Sequence, residues 1–164
     1  MAQLAFRADM AAQSTSLPDG VVLRWRGPLL DAEMTDLVAS YGGTPVPGWW
    51  NTIRPHSFGW ATARAADDVV VGFVNIVTDG GDHGFLVDTK TRGAFQRRGI
   101  ATRVVAFTAE HARAAGCEWL HVDFDDAAGL LPRSLRVRTH RRRADPPAPV
   151  AGAGVTGGHI CDRW

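Results

Sequence analysis

The chain lacks several features that mark specialised classes of protein. Its 164 residues include only two cysteines, Cys117 and Cys161, which are too far apart for a metal knuckle and too few for a disulfide scaffold. No apolar run approaches the roughly 20 residues that span a bilayer, and residues 1–20 lack the long apolar core of a secretory signal. The sequence therefore predicts a protein of the reducing cytoplasm with no membrane-spanning segment.

The proportions of apolar and charged residues are those of an ordinary globular protein, but the charge is divided unevenly along the chain. Apolar residues make up 45% and charged residues 21%, and the length suits one compact domain. Residues 1–126 carry 11 basic and 15 acidic side chains, whereas residues 127–164 carry 7 basic and 2 acidic ones. The pattern predicts a flexible leader over 1–20, a folded domain over 21–126 and a poorly structured tail over 127–164.

Apolar periodicity predicts an α/β (α+β) fold with the element order β-α-β-β-β-α-β. The predicted elements are Val21–Arg26, Leu29–Val38, Gly59–Arg64, Val69–Val77, Gly84–Thr91, Gly99–Ala115 and Trp119–Phe124. A loop rich in proline, glycine and tryptophan, Pro45 to Pro55, has room for one helical turn. Because a long helix separates the last two strands, we expect them to be a parallel crossover pair.

The most informative motif lies between a predicted strand and the long helix. Residues 95–101 read Phe-Gln-Arg-Arg-Gly-Ile-Ala, and a glycine at this junction lets the backbone approach a ligand closely. The first-turn N–H groups of a helix have no partner within it, so with the helix dipole they form an anion site suited to a pyrophosphate. Arg97 and Arg98 add positive charge. The alternative is a plain strand-to-helix turn with two solvated arginines.

This arrangement resembles the GNAT superfamily of acetyl-CoA-dependent N-acetyltransferases. The family signature is Gln/Arg-x-x-Gly-x-Gly/Ala after the fourth strand, and Gln96 to Ala101 fill it. The elements from Val21 to Asp126 follow the order of the family. The resemblance implies a mixed central sheet flanked by helices, acetyl-CoA as cosubstrate, no metal, and an acceptor that is a small-molecule or protein amine.

The resemblance also implies which residues hold the cosubstrate. Backbone amides of residues 97–102 would cradle the CoA pyrophosphate, and strand residues 89–91 would pair with the pantetheine arm like an added strand. The implied set is Thr89, Lys90, Thr91, Gln96, Arg97, Arg98, Gly99, Ile100, Ala101 and Thr102.

Acetyl transfer to an amine needs a neutral amine, a polarised carbonyl and a protonated leaving thiolate. The resemblance implies that a backbone N–H of the strand before the motif holds the carbonyl. His121, Asp123 and Asp125 share one face of the last predicted strand and are candidate bases. His121 is the first choice, because histidine titrates near neutrality in its unperturbed form. The alternative is that these side chains line a wet sheet face, and a metal site is less favoured because no typical ligand pair accompanies them.

The acceptor wall of the family usually precedes the second strand, where this chain has Trp49, Trp50 and Arg54. Trp50 and Arg54 are the candidate substrate contacts. Arg54 could recognise a carboxylate or phosphate of the acceptor. The tryptophans could instead close the core, which is the favoured alternative because large aromatic side chains dominate burial. The identity of the acceptor stays open.

After Asp126 the resemblance stops. Family members continue with a helix and a strand pair that carries a Phe-Tyr-x-x-x-Gly-Phe-like segment, whose tyrosine often protonates the thiolate. Residues 130–145 can be encoded so that a shift of one base reads Phe-Tyr-Arg-Glu-Ala-Cys-Gly-Phe, and 17 arginines against one lysine suit GC-rich coding. We infer a frameshift near residue 127, which reading the coding DNA tests. It predicts loss of the C-terminal strand pair, an open sheet edge and impaired catalysis.

Three functions are therefore weighed. The first is an N-acetyltransferase, and the second is a non-catalytic CoA-binding module or inactive pseudoenzyme that lacks the altered segment. The third is nucleic-acid binding by the arginine-rich tail around residues 141–143, which would be steeply salt-dependent. A misframed tail explains these arginines without a function, so nucleic acid is the least favoured partner.

Overall fold

The computed structural model describes residues 14–125, 138–140 and 157–163, with side chains described through residue 122. The strands are β1 Ser14–Ser16, β2 Val22–Trp25, β3 Gly59–Arg64, β4 Val70–Thr78, β5 His83–Thr91, β6 Trp119–Asp125, β7 Arg138–His140 and β8 Gly157–Arg163. The helices are α1 Asp31–Ala39, α2 Trp49–Ile53 and α3 Ile100–Ala114, with 3-10 turns at Arg54–His56 and Gly93–Phe95. The predicted order β-α-β-β-β-α-β is confirmed over residues 22–125, where α2 is the helical turn allowed for in the loop, and β1, β7 and β8 lie outside it.

All described strands belong to one mixed sheet in the order β1-β2-β3-β4-β5-β6-β8-β7. The expected parallel crossover pair is confirmed, because β5 and β6 pair in parallel from His83↔Trp119 to Leu86↔Val122. In the described strands no β5–β6 pair follows Leu86↔Val122, although both strands continue beyond it. The edge of β5 that faces β6 is therefore without this partner over its last residues.

A β-bulge interrupts β5 just beyond this point. Phe73 pairs with Lys90 and Asn75 pairs with Val87, so two β5 residues stand opposite the single residue Val74. One of the two, Asp88, has a left-handed backbone with φ of 58°. A bulge inserts one residue and reverses the alternation of side chains beyond it.

Helix α3 covers one face of the sheet, and α1 with α2 cover the other. Buried residues of α3 pack against small and aliphatic side chains of β3, β4 and β6 in one cluster. Gly72 on β4 faces this helix, and a Cβ added there would lie 2.9 Å from the Ile100 Cγ2 atom. Its lack of a side chain therefore lets α3 lie close to the sheet. On the other face Met34, Leu37 and Phe73 pack around Trp50 in a second cluster.

The expected loss of the C-terminal strand pair is wrong. Strand β8 pairs antiparallel with β6 from Trp119↔Arg163 to Asp125↔Gly157, and β7 pairs with β8. The physical reason is that ladder hydrogen bonds use backbone groups, so an extended segment can pair with the open edge of β6 without carrying the motif of the family.

The predicted leader and tail are only partly described. Strand β1 lies within the predicted leader, and β7 and β8 lie within the predicted tail. The remaining parts of both segments, and the frameshift near residue 127, fall outside the described residues. None of the helices in the described ranges has the length and apolarity needed to cross a membrane.

Candidate functional site

A cleft of about 520 Å³ opens between the end of β5 and the start of α3. Its lining residues are Thr89, Thr91, Phe95, Gln96, Arg97, Gly99, Ile100, Ala101 and Thr102. Eight of the ten residues expected to hold the cosubstrate are thus brought together, and Lys90 and Arg98 are not among them. Phe95 is an addition that the motif contained but to which the sequence assigned no role.

The start of α3 is shaped for close approach by an anion. Gly99 caps the helix with φ of 75°, and a Cβ built on it would meet no atom within 4 Å. Arg97 also has a left-handed backbone, with φ of 61°. The first helical hydrogen bond runs from the Arg103 N–H to the Gly99 carbonyl at 3.1 Å, so the amides before Arg103 are directed out of the helix end. With the helix dipole, this end favours a phosphate group.

Side chains of the motif connect it to the neighbouring strand. The Gln96 Nε2 atom donates to the Thr91 carbonyl at 3.4 Å. Arg97 and Arg98 are both exposed, and the Arg98 guanidinium lies 5.1 Å from the centre of the Phe95 ring. Arg98 therefore adds charge near the cleft without lining it.

Lys90 lies on the other side of β5, because the bulge reverses the alternation. Its side chain lines a second cavity of about 240 Å³, together with Met34, Thr35, Val38, Tyr41, Gly43, Thr44, Val46, Trp49 and Asp88. The Lys90 ammonium lies 3.2 Å from the Asp88 carboxylate and 4.5 Å from the centre of the Trp49 ring. Burial, and then the negative charge of Asp88, raise the pKa of Tyr41. Tyr41 therefore remains protonated at neutral pH.

The sequence analysis missed Asp88 as a candidate site residue. A signal was available, because a charged residue interrupts the apolar run of the strand at Val87. The alternation rule alone, however, would have directed Asp88 toward α3, and only the bulge directs it into the second cavity.

His121 does not line either cavity. It pairs in register with Phe85, and their rings stack with centroids 4.6 Å apart. Its Nε2 atom lies 2.6 Å from the Nδ1 atom of His83, whose Nε2 atom is 3.8 Å from a carboxylate oxygen of Asp82. Asp123 and Asp125 lie on β6, but their side chains fall outside the described part.

The two candidate acceptor contacts have different positions. Trp50 is fully buried, donates its indole N–H to the Leu29 carbonyl at 3.0 Å and packs edge-on against Trp60 and Phe73. This burial agrees with the favoured alternative, in which the tryptophans close the core, and a direct contact of Trp50 with an acceptor stays an untested prediction. Arg54 is exposed in a 3-10 turn and lines neither cavity. In the described ranges no three His, Cys, Asp or Glu side chains are grouped to hold a metal ion.

The chain thus combines a mixed sheet, whose parallel pair separates at Leu86↔Val122, with a glycine-capped helix beside that point. Residues 20–130 match the family model described as "Acetyltransferase (GNAT) family". The chain therefore belongs to the GNAT acetyltransferases, whose members are acyltransferases. No curated protein matches it in sequence.

Solved structures show the same fold at low sequence identity. A GNAT family N-acetyltransferase from Escherichia coli, YhbS, in complex with CoA, is 14% identical with a TM-score of 0.66, over 91% of this chain and 84% of that chain. The ribosomal-protein-S18-alanine N-acetyltransferase from Escherichia coli is 10% identical with a TM-score of 0.66, over 86% and 93%. The putative acetyltransferase yncA from Salmonella typhimurium, with acetyl-CoA, is 12% identical with a TM-score of 0.63, over 88% and 94%.

Proposed function

We propose that this chain transfers an acetyl group from acetyl-CoA to a primary amine. The observation that carries the proposal is the cleft between the end of β5 and the open, glycine-capped start of α3. The CoA pyrophosphate would lie against the amides of residues 97–102, with Arg97 and Arg98 nearby to balance its charge. Two of the similar solved structures, whose own descriptions name CoA or acetyl-CoA, support this choice of cosubstrate.

The pantetheine arm would pair with the backbone of residues 89–91. This is supported by the end of the β5–β6 ladder at Leu86↔Val122, which leaves the following edge of β5 without β6 as a partner. The amides of pantetheine can add to such an edge as a strand does. The thioester would then lie near the bulge at Asp88, where a backbone N–H of β5 would polarise its carbonyl.

The acceptor amine would approach from the second cavity. Asp88 supplies a carboxylate there and Trp49 an aromatic face, and their contacts with the Lys90 ammonium support a cationic amine as their ligand, for which Lys90 would have to make room. His121 is the proposed general base, acting through an intervening water because its ring does not line the cavity. Asp123 stays a second candidate base. The acceptor is a small-molecule or protein amine, and we place the reaction in the cytoplasm, as the cysteine content favours.

Calorimetric titration with acetyl-CoA tests the cosubstrate site. Asp in place of Gly99 would put a carboxylate where the pyrophosphate approaches, and we expect the variant Gly99→Asp to bind at least about tenfold more weakly. Gly80→Asp is the matched control, because Gly80 also has a left-handed backbone, with φ of 87°, and open space around its Cβ position. It lies in the β4–β5 turn, outside the cleft lining. Equal affinity of the two variants, or no binding by folded wild-type protein, would contradict the proposal.

A non-catalytic CoA-binding protein is the second candidate function. It is favoured by the position of the single tyrosine, Tyr41, which precedes β3 rather than following β6 as the family's thiolate acid does. Both candidates bind acetyl-CoA, so turnover separates them. Steady release of free CoA with any member of a panel of primary amines identifies the transferase, and binding without release identifies the non-catalytic protein.

A further inference from the structure

The chain has a single lysine, and it lies beside the proposed cosubstrate site. Among 18 basic residues, Lys90 is the one that carries a primary amine. Its neighbours in the strand, Thr89 and Thr91, line the cleft, whereas its own side chain enters the second cavity. The backbone of Lys90 therefore belongs to the strand segment along which the pantetheine arm would lie.

The side chain of Lys90 folds back along β5 toward the bulge. Its Nζ atom lies 3.2 Å from the Asp88 carboxylate and 3.4 Å from the Asp88 carbonyl oxygen. The ring centres of Trp49 and Phe73 are 4.5 Å and 5.9 Å away, and the side chain is only 15% exposed. These contacts hold the Nζ atom of Lys90 beside Asp88, and the proposed thioester would lie near the same residue.

We propose that Lys90 is acetylated by the acetyl-CoA bound to its own chain. The inference rests on the proposed function, because it takes the acetyl donor and its position from there. An amine that is held next to a thioester reacts as an intramolecular group does, with effective concentrations of about 10⁵ M or more for well-oriented groups.

The step balances without any further reactant. The Nζ atom of Lys90 forms a bond to the thioester carbonyl carbon, and the bond between that carbon and the CoA sulfur breaks. The ammonium gives up two protons, of which one ends on the CoA sulfur and the other in solvent. The products are N-acetyl-lysine and free CoA.

Acetylation would change the second cavity. It removes the positive charge of Lys90, and with it the ion pair to Asp88 and the cation–π contact with Trp49. The Asp88 carboxylate then loses its ion pair with Lys90, and the second cavity gains a neutral acetyl group. The proposed acceptor site would thus differ between the unmodified and the modified chain.

The test is incubation of the purified chain with acetyl-CoA, followed by peptide mass spectrometry. We expect one acetyl group on Lys90, appearing at a fractional rate that does not depend on protein concentration and is suppressed by excess free CoA. The variant Lys90→Arg should gain no acetyl group in the corresponding peptide. Gly99→Asp should react at least about tenfold more slowly than wild type, and Gly80→Asp should react at the wild-type rate.

Three results would overturn the inference. In the first, titration shows that acetyl-CoA binds but Lys90 stays unmodified, which leaves the proposed cosubstrate intact. In the second, Lys90 is modified equally fast in Gly99→Asp or under saturating CoA, which indicates chemical acetylation from solution. In the third, folded protein does not bind acetyl-CoA, and the proposed function then fails together with the inference.

Discussion

The Nδ1 atom of His83 and the Nε2 atom of His121 lie 2.6 Å apart across the parallel pair of strands β5 and β6. At this distance the two rings form a hydrogen bond, in which one ring nitrogen donates its proton and the other accepts it. His83 stacks on Trp119 and His121 stacks on Phe85, which fixes the planes of both rings. If His121 is the general base, as proposed, His83 is the residue that positions its ring.

This pairing predicts strongly non-additive kinetics. With any amine that supports turnover, we expect His121→Ala to lower kcat by about 100-fold, the ordinary contribution of a general base. The double variant His83→Ala/His121→Ala should be no slower than His121→Ala, because groups that act as a unit do not add. The KM for acetyl-CoA should stay unchanged, since neither ring lines the cleft. Equal kcat in wild type and His121→Ala would exclude the base role.

The ion pair between Glu33 and Arg64 predicts a large stability effect. Arg64 is 4% exposed, and its guanidinium contacts both Glu33 oxygens, at 2.7 and 3.1 Å. Because Glu33→Ala leaves this buried charge without the carboxylate to which it donates two hydrogen bonds, we expect a loss of about 3 kcal/mol in the free energy of unfolding. Urea denaturation measures it. Asp68→Asn is the control: that exposed carboxylate is 3.6 Å from Arg64, asparagine tolerates the left-handed backbone of this position (φ 64°), and the loss of the charge should cost less than about 0.5 kcal/mol.

The same pair predicts a pH dependence of stability. The hydrogen bond from Arg64 lowers the pKa of Glu33 below the ordinary value of a glutamate side chain. A carboxyl group whose pKa is lower in the folded state stabilises the protein above its unfolded pKa, and this contribution is lost as the pH falls through the folded value. The difference in unfolding free energy between wild type and Glu33→Ala should therefore be full at neutral pH and shrink below pH 4.5. A constant difference across this range would contradict the assignment.

Gly72 links the packing of α3 to the cosubstrate site. In Gly72→Ala the new Cβ would lie 2.9 Å from Ile100 and 3.2 Å from Val104, so the helix has to move away from β4. Overpacking of this kind costs about 1–3 kcal/mol. Because Ile100 is in the first turn of α3, we expect acetyl-CoA binding to weaken as well. Thermal denaturation and calorimetric titration would measure the two effects, and unchanged affinity in a destabilised variant would show that the helix start does not shift.

Strand β8 covers the edge of β6 along all seven residues of both strands. A chain that ends at residue 156 would leave this edge without its partner, and open edges recruit other strands. We expect the truncated protein to self-associate at concentrations where the full chain does not, as measured by light scattering after gel filtration. Identical masses for the two proteins would show that β8 does not protect the edge.

Local patterns in the sequence predicted much of this molecule, because helices and strands follow from spacing and the motif at residues 95–101 is contiguous. Three features lay beyond such patterns. Alternation from Leu86 places Lys90 on the side of α3, and only the bulge places it on the other. Two adjacent tryptophans look alike in sequence, yet packing buries Trp50 and leaves Trp49 at a cavity. His83 and His121 are 38 residues apart, so their contact arises from tertiary structure.

The bulge in β5 has a consequence for how the two substrates would meet. The end of β5 lies between the two cavities. Thr89 and Thr91 line the cleft on one side, and Asp88 and Lys90 line the second cavity on the other. Donor and acceptor that enter from opposite sides can be present together, and neither has to leave before the other arrives. The proposed reaction would then proceed through a ternary complex, and a single molecule that joins CoA to an amine across the strand would fill both cavities at once.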